Sequence, residues 1–349
     1  MRYRRSWATN YAAWLGSFLL LALAAFWASG VGSFDTPYRV IGRLWLSPFL
    51  PEWASPIDAR VQYILLHVRL ARICLAMAVG GALALAGAVY QSVLLNPLAD
   101  PFTLGVSTGA AFGASLYLLF GWGAASVLGL SALPAAAFAG SLAALYLVYV
   151  LGRVDGRVQP TTLVLAGIIV STFLSALIGL LKSLNEDSVS TIVFWVMGSL
   201  SGKSWTHVLL ILPYLAAASA LIFHSARELD LLTLGDVQAQ QLGVNVQQTR
   251  FRLMLAASLV TAAAVAVSGV IGFVGLVVPH LVRLAIGPHH RTLLPAAFVL
   301  GALLVLLSDT LARSLLPSGQ ELPVGVVTAI LGGPFFCYLM LHRKKQLQL

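Results

Sequence analysis

Ten apolar stretches follow one another along the chain, near 11–31, 62–90, 97–120, 127–151, 161–182, 205–225, 251–271, 275–287, 292–314 and 324–342. Most approach or exceed the roughly 20 residues that an α-helix needs to cross a bilayer. Inside hydrocarbon every backbone N–H and C=O must be satisfied within the protein, which an α-helix does within its own segment. The sequence therefore predicts an all-α polytopic membrane protein of ten transmembrane helices, one membrane domain over 1–349.

Charge agrees with this. Only 9% of residues are charged, against about 25% in an ordinary soluble domain. The net charge of +9 does not point to nucleic acid, because the basic residues are scattered over short loops and no nucleic-acid motif accompanies them. Positive-inside topology accounts for them better. With the N-terminus inside, the inner segments collect Arg2, Arg4, Arg5, Arg153, Arg157, Arg227, Arg250, Arg252, Arg291, Arg343, Lys344 and Lys345; the outer ones hold Arg39, Arg43, Arg60, Lys182, Lys203 and Arg313. That twofold excess places both termini in the cytoplasm. The opening MRYRRSWATNYAAWLGSFLLLALAAFWASG resembles a signal peptide, but its apolar run exceeds the 7 to 15 residues of a signal core and reads as an uncleaved first helix. Cys74 and Cys337 lie in separate apolar segments, so no disulfide framework or CxxC metal site is expected.

The stretch ELDLLTLGDVQAQQLGVNVQQTR, 228–250, interrupts this pattern with polar residues. It reads as a short cytosolic helix, with Asp230 and Asp236 as N-caps and Gly243 with Asn245 as its stop. Spans two to five also align on seven to ten. ALALAGAVYQSVLLNPLADPFTLG (82–105) lies without gaps on 264–287, pairing Gly87 with Gly269, Pro97 with Pro279 and Gly105 with Gly287; further on, Gly140 pairs with Gly301. Copies that begin five helices apart point in opposite directions, an inverted repeat of the transporter kind. Gly105, Gly109 and Gly113 form two GxxxG steps suited to close helix packing.

No enzyme site emerges. GSLSGKS, 198–204, lacks the first glycine of a phosphate loop, that position being Met197, and reads as a polar outer turn. The histidines show no metal-ligand spacing, and His280, after Pro279 in an intramembrane segment, reads as a hydrogen-bonded structural residue. Asp309 is the clearest intramembrane acid, with Arg313 one turn on as its partner. So few buried carboxylates argue against an ion-coupled transporter working alone. Arg69 and Arg72, near the outer end of span two, either snorkel or form a basic patch for an acidic outer partner, joined by Arg313.

Several segments together resemble one family, the FecCD-type permeases of type II ABC importers: 81–114, FWVMGSLSG (194–202), LTLGDVQAQQLGV (232–244), SGVIGFVGLVVPHLVRLAIGPHHR (268–291) and ELPVGVVTAILGGPFF (321–336). The resemblance implies a homodimeric permease of the bacterial cytoplasmic membrane that carries a metal chelate, ferric siderophore first, haem or cobalamin next. It implies two ABC ATPase subunits that use ATP and Mg, no cofactor in this chain, and a soluble binding protein outside. It makes 224–250 the coupling segment, with Gly235, Asp236, Ala239, Gln241, Leu242 and Gly243 on the motif. Asn96, Leu98 and Thr161 match the cytoplasmic gate, and Arg69, Arg72 and Arg313 the docking arginines. Pro160 stands where the family often has a small hydroxyl residue, and Ala71 replaces a proline before the second arginine.

Overall fold

The computed structural model describes residues 7–32, 34, 36–47, 50, 57–120, 126–127, 130–154, 157–316 and 320–346. The basic N-terminal residues Arg2, Arg4 and Arg5 lie outside them. In chain order the helices are α1 (Trp7–Gly30), α2 (Tyr38–Leu46), α3 (Ala59–Tyr63), α4 (Leu70–Val93), α5 (Val106–Leu119), α6 (Leu133–Leu151), α7 (Pro160–Leu184), α8 (Val189–Val196), α9 (Trp205–His224), α10 (Ala226–Leu232), α11 (Asp236–Gln241), α12 (Val246–Ser268), α13 (Val274–Ile286), α14 (His290–Ala312) and α15 (Val324–Gln346). A π-helical turn, Ile64–Arg69, joins α3 to α4 into one span. Two small antiparallel β-pairs are the only strands among the described residues.

Six of these helices are long and apolar enough to cross a membrane, and α1, α5, α13 and α15 carry shorter apolar stretches. Ten apolar helices thus stand where the sequence predicts ten. The third departs most from expectation: 97–105 is a chain of turns, and α5 begins only at Val106. Pro97 and Pro101 deny that stretch helical hydrogen bonds. Asp100 Oδ1 accepts the backbone N–H groups of Phe102 and Thr103 at 3.1 and 2.9 Å, and Gly105 turns the chain at φ +74°. This buried turn is an intramembrane role for an acid that hydropathy alone does not reveal.

The repeat is present in the order of lengths. Helices α4 to α7 run 24, 14, 19 and 25 residues, and α12 to α15 run 23, 13, 23 and 23. The ungapped register is corrected, however. Pro97 lies in the turn after α4 whereas Pro279 lies inside α13, and Gly105 starts a helix whereas Gly287 ends one. The link between the first two helices of each repeat differs in length, so a constant offset slides the second copy by most of a link. Both links nevertheless hold a non-glycine residue in the left-handed region, Leu95 at φ 49° and Phe273 at φ 67°.

The main core cluster runs from Ala25 and Ala28 of α1 to Val324 of α15, with three small satellite clusters beside it. Its centre is α4, almost wholly buried, lying antiparallel to α14. Between apolar helices in lipid, contact comes from close packing, which small residues allow. A Cβ on Gly80 would overlap the carbonyl of Gly301, one on Gly87 the carbonyl of Gly275, and one on Gly109 the carbonyl region of Gly140. The first GxxxG reading holds as packing of α5 on α6. Gly80→Val is expected to lower the midpoint of thermal unfolding in detergent, with an overpacking cost of about 1–3 kcal/mol. Gly42→Ala, where nothing lies within 4 Å, should leave the midpoint unchanged; equal midpoints for both variants would refute the packing account.

GSLSGKS is a structural turn, as predicted. Gly198 and Gly202 take φ +71° and +69°, and Ser199 N–H donates to Ser268 O at 2.8 Å, fastening the turn to the end of α12.

Candidate functional site

Consecutive helices alternate in direction, so the bundle has two ends. One gathers the C-terminus of α4, the N-terminus of α7 and the segment 224–250; the other gathers Arg69, Arg72 and Arg313. Charge is organised differently at each.

At the first end, 228–250 holds most of α10, all of α11 and the first turn of α12 instead of the single short helix expected. Thr233–Gly235 separates α10 from α11, and Gly235 takes φ +102°, a conformation that favours glycine. Neither aspartate acts as the expected cap. Asp236 starts α11 and pairs with Arg250 at 2.7 Å, while the Arg250 guanidinium also donates to Val158 O at 3.1 Å. Arg250 is 1% exposed, so this bond ties α11 to α12 and to the loop before α7. Asp230 accepts twice from His290, from the backbone N–H at 2.9 Å and Nδ1 at 2.6 Å, and His290 Nε2 meets Ser92 Oγ at 2.6 Å.

These three side chains repeat the spacing of a hydrolase relay, yet Ser92 and His290 are 3% and 2% exposed and no substrate reaches the hydroxyl. Their effect is mechanical. One polar chain links α10, the start of α14 and the end of α4, all sequence-distant. Arg283 Nη1 donates to Gln91 Oε1, and Gln91 Nε2 donates to Gly275 O at 3.2 Å, adding α13 to the same knot.

Opposite these fastenings α11 shows a different face. Ala239 is fully buried, whereas Leu234, Val237 and Leu242 are 56%, 64% and 58% exposed. Gln241 is exposed too, and Gly243 at φ +87° ends the helix with open space around it. The result is a short helix, fixed from behind, that offers apolar side chains to the outside. Of the residues that match the family's gate, Asn96 Oδ1 accepts the Leu98 N–H at 2.9 Å, which presents Leu98 at the surface, and Thr161 is exposed on the first turn of α7. Both groups occupy the same end as α11.

At the other end the three arginines do not form an open patch. Arg69, Arg72 and Arg313 are 5%, 8% and 9% exposed. Arg69 donates to Ser29 O at 2.7 Å and to Phe34 O; Arg313 donates to Ala28 O at 2.7 Å. Arg72 grips Asp309 at 2.8 Å and Glu321 at 2.9 Å. The expected Asp309–Arg313 ion pair is present at 3.8 Å, and closer bonds to the same carboxylate come from Arg72 across the α4–α14 contact. Burial makes pairing compulsory, since a lone charge there costs several kcal/mol. Glu321, sitting on this cluster, was not foreseen from sequence; only its neighbours in space give it meaning.

A helical bundle fixed by polar knots at both ends, with an externally aimed apolar helix at one of them, defines a polytopic membrane protein of the transporter class. The chain belongs to the FecCD transport family, whose description matches residues 11–342. It is 39% identical over 329 residues to the hemin transport system permease of Yersinia pestis, covering 94% of this chain and 95% of that one. It is 41% identical over 296 residues to the cobalamin import system permease of Halobacterium salinarum, covering 84% and 78%. A solved inward-facing metal-chelate type ABC transporter matches with a TM-score of 0.79 and 34% identity, covering 94% of this chain and 98% of its own.

Proposed function

We propose that this chain is the permease subunit of an ATP-driven importer, forming as a homodimer the path for a metal chelate across the bacterial cytoplasmic membrane. Ferric siderophore is the first substrate in this reading, with haem and cobalamin as alternatives that similar relatives carry in their names. The observation that carries it is α11: Leu234, Val237 and Leu242 exposed in front, Asp236–Arg250 and Asp230–His290 holding it behind. An apolar helix on a rigid mount is a contact for a motor, and two ABC ATPase subunits supply ATP and Mg chemistry that this chain is not proposed to perform. The inverted repeat provides two arrangements of one bundle between which ATPase closure chooses.

Ion-coupled transport by this chain alone is disfavoured, because Asp309 is already neutralised by Arg72 and so is a poor proton or sodium relay. On the opposite face a soluble binding protein delivers the chelate. Arg69, Arg72 and Arg313 serve that contact from beneath the surface, by holding Glu321 and the outer ends of α1, α4 and α14 in place. Proteoliposomes holding the permease, its ATPase and its binding protein should accumulate chelate only with ATP. Uptake driven by an ion gradient without ATPase, or no ATP-driven uptake of ferric siderophore, haem or cobalamin, would overturn the reading.

A further inference from the structure

A cavity of about 390 Å³ lies between α5, α7 and α8, closed on one side by the α12–α13 link. Most of its wall is apolar, Phe102 and Ile178 among it; the polar groups are the hydroxyls of Ser107, Thr108 and Ser175 and the ammonium of Lys182. No acid lines it. The polar groups converge from two helices for one kind of guest. Ser107 and Thr108 sit in the first turn of α5, where backbone N–H groups lack intrahelical acceptors and the helix dipole favours negative charge. Ser107 is 1% exposed, and its Oγ has no hydrogen-bond partner among the described residues. A buried hydroxyl without a partner costs free energy unless something in the cavity bonds to it. Lys182 forms no ion pair within the described residues, although it stands in an otherwise uncharged membrane helix.

We infer that this cavity binds an anionic oxygen group, a carboxylate, with Lys182 as its counter-charge and Ser107 as a hydrogen-bond donor. This deepens the importer reading and rests on it for biological meaning: the guest is a carboxylate-bearing arm of the transported chelate. The volume lies near the lower end of the roughly 300 to 1,000 Å³ that enclose a drug-sized ligand, which leaves room for such an arm but not for a whole chelate larger than a drug. Two simpler accounts of the lysine exist. Its place in the last turn of α7 complements the helix dipole, and near a membrane surface it would snorkel towards lipid phosphate. Neither explains why an unpartnered serine on a different helix faces the same space.

The test uses the full chain in nanodiscs and needs no knowledge of the natural substrate. Benzoate is the probe, benzamide its neutral isostere, and binding is read by calorimetry in pure phosphatidylcholine. Benzoate should bind saturably and benzamide should not. Lys182→Gln and Ser107→Ala should each weaken benzoate about tenfold, while Lys182→Arg retains most of the affinity. Equal binding of the two probes, or an unchanged affinity in both Lys182→Gln and Ser107→Ala, would overturn the inference. Loss of benzoate binding when phosphatidylglycerol is added, with recovery in lipid lacking it, would instead assign the site to an anionic headgroup and equally overturn a solute site. Failure of the importer reading shows separately, as absent ATP-driven uptake by the complete transporter in which benzoate still binds.

Discussion

Asp309→Ala should produce the largest loss of stability of any single substitution in the outer half of the bundle. The carboxylate is fully buried and receives Arg72 at 2.8 Å, with Arg313 at 3.8 Å. Removing it leaves two buried guanidiniums close together, Arg72 keeping only Glu321 and Arg313 keeping backbone and hydroxyl oxygens. Breaking a buried pair from one side costs about 3–5 kcal/mol, far more than the pair contributes relative to an apolar replacement. The unfolding midpoint of the purified chain in detergent should therefore fall sharply. Glu321→Gln should cost less, because Glu321 is 29% exposed on its side chain and water replaces part of what is lost. Joining Arg72→Met to Asp309→Leu should recover part of the deficit, as the orphaned charge is removed with its partner. A midpoint for Asp309→Ala equal to the parent's would show that the cluster is not the fastening described here.

The same pair marks the boundary of what sequence reasoning reaches. Hydropathy finds all ten apolar helices because burial in lipid is written locally, residue by residue. The third span fails at its start because Pro97, Pro101 and the Asp100 turn act within an apolar run that hydropathy averages over. Arg313 is legible as a partner of Asp309 because it lies one turn along the same helix, and it pairs at 3.8 Å; the closer partner Arg72, 237 residues away, is invisible until α4 and α14 pack. Asp230 and Asp236 look like helix caps for the same reason. Their partners His290 and Arg250 lie 60 and 14 residues off. The motif 232–244 reads correctly as an exposed element, because its polarity is local. What holds it in place is not local, and no spacing rule encodes it.

Placing charge on the exposed face of α11 should separate two properties that an ordinary loss of function confounds. Val237→Asp with Leu242→Asp leaves every bond behind the helix intact, since both side chains point outward at 64% and 58% exposure. The folded bundle should keep its unfolding midpoint and its affinity for benzoate. Association with the ATPase should weaken by about thirtyfold or more, as for loss of an apolar anchor from a small interface, and ATP-driven uptake should fall with it. Asp230→Ala makes the opposite cut. The outward face survives and the ATPase still binds, but α10 loses its hold on His290, and through it on Ser92 at the end of α4 that carries Asn96 and Leu98. ATP should then be hydrolysed by an assembled complex that moves little chelate, a lower ratio of uptake to hydrolysis. Tight ATPase binding by the double aspartate variant would remove α11 as the contact. A normal ratio in Asp230→Ala would remove the Asp230–His290–Ser92 chain as the transmission between that contact and the proposed gate, because a linkage that can be cut without slip carries no push.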